Sequence, residues 1–237
     1  MTKTGRFGLK GLLFVVAGLN LAPGPALAQQ ASLLHPLSGI LAAPVSLRVI
    51  TDADGGESYI IQTGGKWLKG KWAGSGVDHL HAVLVDLDFD GNADIWITGY
   101  TDGQGRDHPS DVWRYQPLRA AYVLDPVLSA LPNLEVDLAA KRLQSSIPNC
   151  GCAGQCFLYE EYDFAKGALR KISAREQTCQ GKSVVYRESR LSGGKMRVTS
   201  QVSGDPGDET SRQRRKSPLN FVDWAKYDGR GETAVQP

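Results

Sequence analysis

The stretch from Val83 to Ile97 constrains this chain more than any other. It reads Val-Leu-Val-Asp-Leu-Asp-Phe-Asp-Gly-Asn-Ala-Asp-Ile-Trp-Ile, with aspartates at loop positions 1, 3, 5 and 9 and glycine at position 6. That spacing gathers oxygen ligands around a hard cation, and Gly91 permits the bend they need. An EF-hand places a bidentate glutamate at position 12. Here Ile97 stands there, and the short apolar flanks read as strands. The expectation is a calcium loop joining two β-strands. Asp86, Asp88, Asp90 and Asp94 supply side-chain oxygens and Asn92 its backbone carbonyl. Four carboxylates this close repel one another, so an ordered loop calls for a cation or a proton.

The first 28 residues read as a cleaved secretory signal. Lys3, Arg6 and Lys10 precede the apolar run Gly11 to Leu21, and Ala26-Leu27-Ala28 forms a small-residue cleavage site. The apolar run is too short to span a membrane as a helix. Removing this segment's three basic residues, with no acidic ones to offset them, takes the formal charge from +2 to −1. The basicity of the whole chain is therefore no argument for a nucleic-acid partner. The expected location is periplasmic or secreted, with no membrane span in the mature chain. An exported chain with four cysteines favours disulfides over a thiolate metal site. Cys150, Cys152, Cys156 and Cys179 are expected to form two. Cys156 and Cys179 flank a hairpin at similar distances from its turn, so a cross-strand bond is one of three open connectivities.

Along the mature chain the pattern is all-β. Residues 29–44 read as an arm, 45–203 as a β domain of roughly eight to ten short antiparallel strands, and 204–237 as a polar, flexible tail in which 220–224 can dock back. A distorted barrel and a partial propeller are the architectures in view. Hairpins are expected over 45–63, 157–176 and 183–202, with a strand pair over 111–124 and a helical turn over 125–131. Residues 64–76, with five glycines and with Trp67 and Trp72 among lysines, read as a loop whose aromatics cover a core edge or face a sugar. Met196, Val198, Ser200 and Val202 alternate onto one strand face.

Little points to catalysis. Ser192-Gly193-Gly194 is a turn and not a nucleophile elbow, and His79 and His81 lack a third metal ligand. Glu160 and Glu161, being adjacent, point to opposite faces of a strand and cannot pair as acid and base. A secreted hydrolase is the weakest reading.

The run from Val85 to Ile97 is followed by Val112-Trp113-Arg114-Tyr115, Tyr122-Val123-Leu124, Leu128 to Leu134, Val136-Asp137 with Lys141-Arg142-Leu143, and the hairpin Tyr159 to Ile172. That order, over roughly residues 80 to 190, resembles the periplasmic calcium-loop proteins typified by a xanthomonad immunity protein, related in their loop to FG-GAP and VCBS repeats. The resemblance implies a calcium-stabilised binder and no enzyme. The family's type member is lysozyme-inhibitor-like and neutralises a peptidoglycan-cleaving effector of a type IV secretion system. The Cys150–Cys156 cluster and the long tail depart from that pattern, and no S-G-x-x-Y inhibitory loop is present. Protruding Tyr100, Arg106, Tyr159 or Tyr162 would then donate into a carboxylate-rich hydrolase cleft. A structural or adhesive cell-envelope module is the alternative, although propellers repeat their loops and this chain has one complete copy.

Overall fold

The computed structural model describes residues 32–34, 45–51, 57–72, 80–99, 109–148, 150–151, 154–205, 213–214 and 216–222. These form three antiparallel sheets that follow one another along the chain. The first holds β1 (Ser32–Leu34), β2 (Val45–Thr51), β3 (Glu57–Thr63) and β4 (Lys66–Lys71) in that order. The second holds β5 (Leu80–Val85), β6 (Asp94–Gly99), β7 (Ser110–Gln116) and β8 (Ala121–Leu124). A short helix α1 (Pro126–Ser129), capped by the Asp125 carboxylate on the amides of Val127 and Leu128, leads onward. The third sheet comprises β9 (Glu135–Asp137), β10 (Arg142–Ile147), β11 (Phe157–Ala165), β12 (Ala168–Gln180), β13 (Ser183–Ser192) and β14 (Lys195–Gly204). Each sheet is an open meander and none closes into a barrel. Four-stranded meanders packed face to face in chain order are the building principle of propeller blades.

Alternation in the second sheet decides the stacking. Leu80, Ala82, Leu84, Ile95, Ile97 and Tyr122 pack with Val45, Leu47, Tyr59, Ile61 and Trp72 of the first sheet and its exit. The intervening Val83, Val85, Trp96 and Val112 pack with Leu134, Val136, Leu143 and Tyr162 on the other side. Successive side chains of a strand point to opposite faces, so the second sheet fills two cores at once. Strand β6 is buried along its whole length. The Tyr59 hydroxyl donates to Asp111 at 2.6 Å and accepts from Trp113 Nε1 at 3.0 Å, which pins the first sheet to the second.

Four expectations are corrected. Residues 66–71 form a strand where a loop was expected. Gly64 and Gly65, at φ of 53° and 74°, make the two-residue turn that starts it. A Cβ on Gly70 would lie 2.2 Å from the Tyr59 ring, so glycine stands inside this strand to let the tyrosine cross it. In the β13–β14 hairpin, Glu188 faces Ser200 while Ser189 faces Val198, leaving Thr199 as an extra residue. This bulge puts Met196 and Val198 on one face and Val202 on the other. A similar step between Glu161 and Tyr162 leaves Ile172 extra in β12.

Third, Cys156 bonds Cys150, with a Cα–Cα distance of 5.1 Å, and not Cys179. Phe157 is registered with Gln177, so the next step outward sets Thr178, and not Cys179, opposite Cys156. Neighbours in sequence point to opposite faces, which takes Cys179 out of reach. Cys179 is itself disulfide-bonded. Fourth, Tyr162 does not protrude. It shares a register position with Leu143, is buried against the second sheet, and donates its hydroxyl to Glu160 at 2.8 Å.

The outer face of the third sheet carries Gln144, Tyr159, Glu161, Arg175, Tyr186 and Glu188, related by the strand register. Residues 213–214 and 216–222 cross it. The Arg214 guanidinium sits 4.6 Å over the Tyr186 ring, and Ser217 donates to Gln144 at 3.0 Å. The Asn220 amide reaches Asp137 at 2.8 Å, and the Val222 amide reaches the Val136 carbonyl at 2.9 Å.

Candidate metal centre

The acidic loop is the corner between β5 and β6. Its tight path shows in Phe89, at φ 60°, and Gly91, at φ 93°. A left-handed conformation costs a phenylalanine free energy, and here the ring offsets that cost by packing into the second core, edge-on to Phe164 at 6.3 Å. The loop's amides turn inward onto its own carboxylates. Asp86 accepts from the Asp90 and Gly91 amides at 3.0 and 2.9 Å, and Asp90 accepts from the amide and side chain of Asn92 at 2.8 and 3.0 Å.

Asp94, the first residue of β6, is 1% exposed. It accepts from the Leu87 amide at 3.0 Å and from the Tyr115 amide of β7 at 2.9 Å, joining loop and sheet. Carboxylate oxygens of Asp86, Asp88 and Asp94 all lie within 4.8 Å of one another. Asp90 and Asn92 face each other beside this group, and Asp90 is outside it. Positions 1, 3 and 9 of the loop therefore converge, and position 5 does not.

The electrostatics of the cluster are those of a site short of positive charge. Burial, and then the neighbouring Asp88, pushes the Asp94 carboxyl up to about 8. Burial also raises Asp88, against the pull of Arg114. Arg114 from β7 forms an ion pair with Asp88, reaches Asp125 at 3.4 Å, and stacks 5.3 Å over Phe164. One guanidinium thus serves a group of three acidic side chains and the helix cap. An all-oxygen donor set with a surplus of negative charge suits a hard divalent cation such as calcium and fits no soft metal. Asp86, Asp88 and Asp94 are the residues that would hold it.

Arg114 is the member of this centre that loop spacing could not reveal. The available signal is its register. Trp96 faces Val112 across the ladder, so Arg114, two residues on, also points toward the buried third-sheet side. An arginine at an inward position of a buried strand asks for a carboxylate partner.

Of the residues expected to meet a partner, Tyr159 lies on the outer face of the third sheet, 5.3 Å beneath the Arg175 guanidinium. Tyr162 is in the core, as described. Tyr100, Arg106 and His79 lie outside the described residues, as do the signal segment, the 52–56 turn, Cys152 and most of the 99–110 loop. Trp72 belongs to the first core, whereas Trp67 is 61% exposed.

No family model matches the chain, and no curated protein matches it. Among solved structures it is similar to one described as a Xanthomonas type IV secretion system related protein, at 16% identity and a TM-score of 0.48, over 72% of this chain and 98% of that one.

Proposed function

We propose that this chain is an exported binding protein held in shape by a calcium ion, and that it acts by occluding a partner and not by catalysis. The observation that carries the reading is the convergence of Asp86, Asp88 and Asp94 at the corner of a doubly buried sheet. When bound, the cation supplies the positive charge that these carboxylates lack and ties the loop to β6. Its binding free energy then adds to folding. The disulfides support export, since such bonds persist in oxidising compartments. The partner class implied by the sequence resemblance is a peptidoglycan-cleaving, lysozyme-like hydrolase.

Two measurements test this. Calcium should raise the melting temperature of the parent, chelator should reverse the rise, and Asp86→Ala should remove it; a rise that survives in the variant ends the calcium reading. Mixing the protein with a lysozyme-type hydrolase should suppress lysis of peptidoglycan, and undiminished lysis at excess protein would sink the inhibitor reading. A second reading, a structural module of the cell envelope, is favoured by the blade-like stacking of the three meanders. It expects the calcium effect without any effect on lysis.

A further inference from the structure

Arg114 is shared between two carboxylates that do different work. Nη2 of its guanidinium pairs with Oδ2 of Asp88, and Nη1 reaches Oδ2 of Asp125 at 3.4 Å. Asp88 is the deeper partner, with 2% of its side chain exposed against 18% for Asp125. The two oxygens of Asp125 are divided between tasks. Oδ1 caps α1 through the Val127 and Leu128 amides, at 2.9 and 3.0 Å, and Oδ2 faces Arg114. A contact of 3.4 Å is long for a charge-assisted bond, so it has room to tighten. Nε of Arg114 is buried and has no hydrogen-bond partner among the described residues, so both contacts hang on the outer nitrogens. Beneath them lies the Phe164 ring, a face that attracts the guanidinium without fixing it in one orientation.

Charge makes Arg114 and a divalent cation rivals. Asp88 stands at position 3 of the loop, and its carboxylate converges with those of Asp86 and Asp94. A guanidinium paired with Asp88 is a full positive charge beside the point where these oxygens meet. In a partly buried corner, the repulsion between that charge and a divalent ion weakens binding by about tenfold or more. The same guanidinium stabilises Asp88 when no other cation serves it, since a buried carboxylate without a counter-ion is costly.

We propose that Arg114 sets the calcium affinity of this corner: it holds Asp88 against the ion and yields by turning to Asp125. The inference rests on the calcium reading above and adds a coupling to it. An ion held by the loop is then felt at the cap of α1, an element that contributes no ligand, through one side chain with two alternative partners.

Calorimetric titration of the full chain with calcium, with melting temperatures in calcium and in chelator, tests this. Arg114→Gln should bind calcium about 10-fold more tightly than the parent. It should also melt below the parent in chelator, because Asp88 is left buried and unpaired. An arginine with a structural role alone would give the second effect and not the first. Asp125→Asn keeps a good helix cap and removes the alternative carboxylate, so it should bind calcium about 3- to 10-fold more weakly. In the parent, calcium should shift the NMR signals of the Arg114 side chain and of the Val127 and Leu128 amides, a readout that stands even where Arg114→Gln fails to fold. A parent that binds calcium overturns the proposal, and leaves the calcium reading standing, when Arg114→Gln binds no tighter, Asp125→Asn binds no more weakly, or the Arg114 signal does not move. No calcium binding by the parent or either variant removes both.

Discussion

The second and third sheets are built from the same antiparallel meander and are stabilised in different ways. In the second, β6 is flanked on both faces by packed side chains, and Trp96, Ile95 and Ile97 are wholly buried. In the third, the inner face packs on the second sheet, and the outer face buries a smaller group of Phe157, Val184 and Tyr186. Its strands β11 to β13 carry the exposed charge pairs Asp163–Arg170, Glu160–Lys171 and Glu176–Arg187, and β14 leaves Val198 57% and Val202 42% exposed. The acidic corner belongs to the first kind of sheet. A site that must stay rigid is set into the doubly buried sheet.

The comparison can be broken by substitution. Trp96 fills the core between the second and third sheets and donates from Nε1 to Ser110 at 2.9 Å. Trp96→Ala should cost about 4 kcal/mol by denaturant unfolding, or roughly 10 °C in melting temperature. A loss below about 2 kcal/mol would mean that the double burial of this sheet is not what stabilises it.

The next effect is pH-dependent and belongs to the third sheet's outer face. Burial pushes the Glu135 carboxyl up to about 7, against a weak hydrogen bond from Gln144 at 3.4 Å. The folded protein therefore holds this proton more tightly than the unfolded chain does. Its contribution is fully present at acid pH below the ordinary carboxylate range and is lost as pH rises through about 7. Urea midpoints should fall by the equivalent of about 2 kcal/mol between acid and mildly basic pH. Glu135→Gln should flatten that part of the profile, and an unchanged slope would remove Glu135 as its source.

The smallest effect sharpens the contrast. Arg187 and Glu176 pair at 2.6 Å on neighbouring strands of the third sheet, with side chains 41% and 34% exposed. A double-mutant cycle on the pair should yield a coupling of about 0.5 kcal/mol that fades at high salt. A coupling above about 1.5 kcal/mol would show that surface charge carries more of this sheet than burial does.

How much of this was legible in the sequence follows from which interactions are local. The hairpins over 45–63, 157–176 and 183–202 are written in alternation and turn residues. The Lys166-Gly167 turn, at φ of 54° and 76°, is the kind a two-residue hairpin requires. Strand β4 was not legible, because Lys-Trp-Leu-Lys-Gly-Lys is a poor strand by composition and pairs through its backbone under Tyr59. The extra residues Ile172 and Thr199 leave no mark in the alternation, yet they decide which side chains share a face. At the acidic loop, spacing alone brought Asp86, Asp88 and Asp94 together. Arg114 came from another strand and Asp90 turned aside, and both depend on the fold.

The segment that crosses the third sheet has a consequence for how the molecule comes together. Every sheet is a chain of hairpins between consecutive strands, so the closures are short and the entropic cost of each is small. The bonds from Ser217 to Gln144 and from Asn220 to Asp137 instead span 73 and 83 residues. They close the longest of these loops and involve residues that follow all fourteen strands in the chain. The meanders can therefore assemble while that outer face is still bare. Hydrogen exchange should find the amides of Asn220 and Val222 opening well before those of β6.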